Sequence, residues 1–124
     1  MNFDETLKKM LEAAAAAAKV HWNDFRSYAE QEFKKLAEAG AQVEADYIAD
    51  VAEAELQQNA AKRDKLMQKA KKRAELAFDS LRLAAEGVLT ATTADAKIAA
   101  QDAINAALGV LRSAINESVG IALL

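Results

Sequence analysis

The chain has 124 residues, with no cysteine, no proline, four glycines and a formal net charge of −3. The absence of cysteine excludes disulfides, thiolate metal sites and cysteine nucleophiles, and the negative net charge argues against bulk attraction to nucleic acid. Because the chain is rich in alanine, leucine, lysine and glutamate and has no proline to interrupt a helix, it is expected to be all-α.

The predicted fold is an elongated antiparallel bundle of three long helices, which forms one domain over residues 1–124. The first helix is predicted over residues 4–39. Gly40 follows it and suits the left-handed residue that often ends a helix. The second helix is predicted over residues 42–86 and stops near Gly87.

The third helix is predicted to begin at a cap formed by Thr92 or Thr93 and to continue to near Val119. The second helix has a weak point, because Asn59 and Arg63 occupy positions that are apolar elsewhere in the pattern. We favour a polar layer within one continuous helix. The alternative is a break near Asn59, which would give a four-helix bundle.

Apolar residues recur every 11 positions, which is typical of long and nearly straight helices packed side by side. The recurring residues include Leu11, Trp22 and Phe33 in the first helix, Leu56, Met67 and Phe78 in the second, and Ala100, Leu111 and Ala122 in the third. The aromatic residues supply the largest side chains for a core that is otherwise mostly alanine. The predicted core anchors are Trp22, Phe25, Phe33 and Phe78.

The stretch KVHWNDF, residues 19–25, contains the chain's only histidine and only tryptophan. His21 could ligate haem iron together with Met67, but a lone histidine beside a tryptophan is more often structural. Di-iron and zinc sites need more histidines or cysteines than this chain has. Neither a nucleophile elbow nor a glycine-rich phosphate loop is present. We therefore predict no enzyme activity, no catalytic residue, no metal and no cofactor.

Charge is divided unequally along the second helix, which is acidic over residues 44–55 and basic over residues 62–73. Three interpretations stay open. The basic stretch is a solvated face, or it binds a polyanion or a lipid surface, or the helix pairs antiparallel with its own copy across Asn59. The last interpretation assigns self-association to Asp50, Glu53, Lys65, Lys69 and Lys72.

The third helix carries a second apolar stripe and ends in the apolar tail VGIALL. A helix that is apolar on two sides is either central in a bundle or faces another subunit. An exposed apolar tail would be adhesive, so we expect it to dock within an oligomer or on a partner. The residues predicted to make these contacts are Val110, Ala114, Ile121 and Leu124.

The leading hypothesis is a non-enzymatic, self-associating structural, scaffold or adaptor protein, with a homodimer as the favoured state. An amphipathic bundle that binds a lipid surface is the alternative, and nucleic-acid binding through residues 62–73 is less favoured. No stretch reaches the 18 apolar residues that typically span a bilayer. A cytoplasmic location is expected.

Overall fold

The computed structural model describes residues 1–87 and 94–124, and these residues form four α-helices. They are α1 (Phe3–Ala18), α2 (Trp22–Glu55), α3 (Ala60–Gly87) and α4 (Ala94–Val119), and a 3₁₀ turn at Lys19–His21 joins the first two. The prediction of an all-α helical bundle is confirmed. The last helix ends at Val119 as predicted, whereas its predicted cap at Thr92 or Thr93 lies outside the described residues.

The predicted extent of the first helix is wrong, because the chain breaks at Lys19 and not at Gly40. Lys19 has φ 54° and ψ −123°, a backbone conformation that interrupts the helix and that residues other than glycine rarely adopt. Gly40 instead lies inside α2, where a Cβ would stand 2.7 Å from Leu111 Cδ1 of α4. This glycine therefore allows close helix packing and does not end a helix.

The prediction of one continuous second helix is also wrong, and the alternative of a break near Asn59 is confirmed. The Asn59 side-chain oxygen accepts a hydrogen bond from the backbone N–H of Lys62 at 3.1 Å, so Asn59 is the N-cap of α3. A side chain that caps a helix in this way favours the start of a new helix over continuation of the preceding one. The two helices fold back on each other as an antiparallel hairpin, across which Arg73 pairs with Asp50.

The body of the molecule consists of α1, α4, the first two thirds of α2 and the second half of α3. The amino group of Met1 hydrogen-bonds Glu44 Oε1 and Ser118 Oγ, each at 3.2 Å, which places the start of α1 beside the middle of α2 and the end of α4. α1 therefore runs antiparallel to both. Ala103 and Ala107 on the second apolar stripe of α4 are fully buried, so this part of the stripe packs within the bundle.

The four predicted anchor residues all contribute to the core, but to different degrees. Phe33 and Phe78 are fully enclosed, and the guanidinium of Arg112 lies 5.5 Å from the centre of the Phe78 ring. Trp22 and Phe25 are partly buried at the edge of the core, and their rings meet edge to face at 5.6 Å. The interpretation of the KVHWNDF aromatics as packing residues agrees with this placement.

Beyond Glu44, the hairpin of α2 and α3 projects from the body as a two-helix arm, residues 45–73. Within this range Ala54 and Ala70 alone are fully buried, and both lie outside the main core cluster. At about 1.5 Å per residue, α2 extends about 16 Å past Glu44. The projecting arm and the end of the body therefore form a concave corner.

Candidate interaction surface

One side of the arm continues the lines of residues that face the interior of the body. Glu44 contacts both Met1 and Ser118, and Phe78 contacts α4 through Arg112, so these two residues mark the sides of α2 and α3 that face the body. Because residues three, four or seven positions apart share a helix face, the same lines extend into the arm. We call this surface the inner face. It consists of Ile48, Val51 and Glu55 on α2, and of Asp64, Met67 and Lys71 on α3.

The middle of the inner face is apolar and partly exposed. Ile48 is 52 % exposed, while Val51 and Met67 are half-buried. The start of α1 and the end of α4 both lie at the level of Glu44 and do not extend along the arm. At the tip of the arm, Leu56 is 81 % exposed. The positions that are covered by helices in the body are therefore in contact with solvent in the arm.

The charges on the inner face of α3 follow an order that is complementary to itself. Asp64 is the only acidic residue among the basic residues of positions 62–73, and it lies on this face near the tip. Met67 follows it, and Lys71 lies near the base. If a second copy of α3 lies antiparallel to the first, its acid–apolar–base order is reversed, so each Asp64 lies opposite a Lys71. Beside it, the Nε–H of Arg63 is buried and has no hydrogen-bond acceptor among the described residues.

The charged residues that the sequence pattern assigned to self-association lie away from the inner face. Asp50 Oδ2 pairs with Arg73 Nη1 at 3.2 Å within the same chain, and Glu53 is exposed. The predicted crossing of two continuous helices at Asn59 is wrong, since α2 ends before this residue and the acidic and basic segments face each other in one chain. The three predicted lysines are exposed on the opposite, outer side of α3; they are Lys65, Lys69 and Lys72.

Two of the predicted residues of α4 face α1 across an open groove. Val110 and Ala114 are half-buried there, and the groove has a volume of about 680 Å³. At its edge Lys9 Nζ lies 3.0 Å from Glu5 Oε1, and this hydrogen bond, together with the negative charge of the carboxylate, raises the pKa of Lys9. Because α1 of the same chain forms the other wall of the groove, this side of α4 is not an uncovered helix face.

The apolar tail folds back on its own chain. Leu123 is 1 % exposed, and Leu124 exchanges two hydrogen bonds with the Asn116 side chain, at 2.8 and 3.3 Å. Ile121 remains 50 % exposed. Since Ile121 follows Ser118 by three residues, and Ser118 Oγ donates a hydrogen bond to Glu44 at 2.6 Å, Ile121 lies near the base of the arm.

The residues considered for metal or haem chemistry do not assemble into a site. His21 Nδ1 lies 3.4 Å from Asp24 Oδ2, three residues away on an exposed helix start. Within residues 1–87 and 94–124, no group of three or more histidine, aspartate and glutamate side chains is placed to hold a metal ion. In the same ranges, none of the helices combines the length and apolar character needed to cross a membrane.

Comparisons with protein family models, curated proteins and solved structures find no match to this chain. The inner face was missed by sequence reasoning, because the 11-residue pattern places Met67 on the same line as the buried Phe78. That line is buried in the body but uncovered in the arm, where Leu56 is 81 % exposed, because α1 begins at the level of Glu44. The signals that could have revealed this were the capping side chain of Asn59 and the early helix break at Lys19.

Proposed function

We propose that this protein is a non-enzymatic structural or scaffold protein that self-associates, and that two copies meet through the inner faces of their arms. The observation that carries the proposal is the uncovered apolar line of the arm. A helical hairpin must bury its apolar side against another layer, and a second hairpin would complete a four-helix bundle. A cytoplasmic location, expected from the sequence, is part of the same proposal.

The corner between arm and body determines the direction in which two arms pair. α1 and α4 occupy the inner side of the hairpin as far as Glu44, so parallel arms would bring two bodies into the same space. Antiparallel arms avoid this overlap. They also bring the exposed Leu56 at each tip towards the partner's Ile121 at the base. The contact is then two-fold and uses the same surface on both copies.

The charges of the inner face favour the same arrangement. In antiparallel arms, Asp64 near the tip of one copy approaches Lys71 near the base of the other, and the reverse pair forms by symmetry.

Self-association is tested by measuring absolute mass with light scattering after size exclusion, over a range of protein concentrations. We expect a dimer for the unaltered chain and a monomer for Ile48→Glu, because a carboxylate in the middle of the inner face would be buried without a partner charge. Ile98→Glu is the matched control: Ile98 is 57 % exposed on α4, outside the inner face, and this variant should remain a dimer.

Both substitutions are at exposed positions, so each variant should keep the helical content of the unaltered protein in circular dichroism. A monomeric mass for the unaltered chain at every concentration contradicts self-association. A dimer that withstands Ile48→Glu as well as it withstands Ile98→Glu contradicts the inner face as its site.

A further inference from the structure

The outer side of α3 carries a straight stripe of exposed side chains that the proposed self-association does not use. Lys62, Lys65, Lys69 and Lys72 follow one another at steps of three and four residues and therefore share one helix face. All four are exposed, and none pairs with a carboxylate of the described residues. Four ammonium groups thus lie in a row, and the part of the chain that the structure describes supplies no ion-pair partner for them.

The same stripe continues into two exposed leucines. Leu76 follows Lys72 by four residues and is 55 % exposed, and Leu83 follows seven residues later and is 62 % exposed. From Lys62 to Leu83 the stripe is about 32 Å long at 1.5 Å per residue. Close to the leucine end, the carboxylate of Asp79 is partnered by Arg82 at 3.9 Å.

This combination of lysines and leucines distinguishes between the polyanions that the lysines could attract. Lysines near an anionic bilayer gain electrostatic free energy from its surface potential, and leucines beside them insert among the headgroups. A nucleic acid would use the lysines but would give the leucines no apolar environment. Aromatic residues, on which exposed bases stack, are absent from the stripe.

We infer that the outer stripe of α3 binds a membrane surface that carries anionic lipid headgroups. α3 lies along the surface, with the four lysines over the headgroups and the two leucines between them. This binding does not depend on self-association, since the inner and outer faces are on opposite sides of the arm. In an antiparallel dimer each copy keeps its stripe free.

The test is co-sedimentation of the full chain with phosphatidylcholine vesicles that either contain or lack phosphatidylserine. We expect binding only with phosphatidylserine, and weaker binding as the salt concentration rises. Lys65→Gln combined with Lys69→Gln should weaken the binding about thirtyfold, which corresponds to about 1 kcal/mol for each lysine. The matched control is Lys8→Gln combined with Lys34→Gln, which removes the same charge from exposed positions elsewhere.

The leucines separate a lipid surface from a nucleic acid. Leu76→Gln combined with Leu83→Gln leaves the charge unchanged and should still weaken vesicle binding, by about tenfold for each leucine that inserts fully. The same variant should bind a DNA duplex no differently from the unaltered chain. Failure to sediment with phosphatidylserine vesicles overturns the inference, and so does equal loss of binding in the Lys8 and Lys34 control. Duplex binding that depends on the lysines, without vesicle binding, would assign the stripe to nucleic acid instead.

Discussion

Gly40 of α2 lies directly against Leu111 of α4, so that a methyl group at residue 40 would stand 2.7 and 2.9 Å from the two Leu111 methyl carbons. Leu111 is fully buried and has little room to move. This contact limits how closely α2 and α4, which run in the same direction, approach each other.

The Gly40 contact predicts an unusual outcome for a glycine-to-alanine change inside a helix. Alanine at residue 40 gains about 1 kcal/mol from helix propensity, but overpacking a full core costs about 1–3 kcal/mol. We expect Gly40→Ala to lower the free energy of unfolding by about 1 kcal/mol in urea titrations. Gly109→Ala is the control: a Cβ there meets no atom of the described chain within 4 Å, and this variant should gain about 1 kcal/mol. Stabilisation by both substitutions would contradict the close contact.

The backbone at Lys19 predicts a stabilising substitution at the link between α1 and α2. Its φ of 54° and ψ of −123° match the position of a type II′ turn that favours glycine, and strain of this kind costs about 1–3 kcal/mol. Glycine removes the strain but adds entropy to the unfolded chain, so the net gain for Lys19→Gly should be about 1 kcal/mol. Thermal unfolding measures this gain. Lys19→Ala keeps the Cβ and should give no comparable gain; an equal gain would show that strain is not the cause.

The order of charges on the inner face predicts a rescue by charge exchange. Asp64→Lys and Lys71→Asp should each weaken self-association about tenfold, because each places like charges opposite one another across the two-fold axis. The double variant restores the pairs and should regain the original affinity. Within one chain the two residues are two helical turns apart, so they do not pair directly. Sedimentation equilibrium measures the three affinities, and additive losses in the double variant would contradict the antiparallel arrangement.

The helical class, the end of the last helix and the buried core lines could be predicted from composition and periodicity. Ile104 and Ile115 of α4, and Phe33 of α2, are buried as the 11-residue pattern indicates. The helix ends were harder to predict, because a pattern made mostly of alanine allows many registers of similar free energy. The sequence predicts a helix end at Gly40, since a glycine that ends a helix and one that permits a close contact look alike in sequence.

The candidate surface was predicted less well than the fold. The sequence shows the division of charge between residues 44–55 and 62–73. That these two segments face each other within one hairpin depends on the helix break, which the capping side chain of Asn59 favours. The exposure of Ile48 depends on where α1 and α4 stop, which is a property of the packed bundle. No local pattern around Ile48 encodes it.

The most direct test of the proposed self-association is cross-linking through a single introduced cysteine, since the chain has none of its own. Met67→Cys places a thiol on the inner face, and Ala49→Cys places one at an exposed position on the far side of α2. With a short bis-maleimide at low protein concentration, we expect covalent dimers from Met67→Cys and almost none from Ala49→Cys. Equal yields from the two variants, or no dimer from Met67→Cys, would contradict self-association through the inner face.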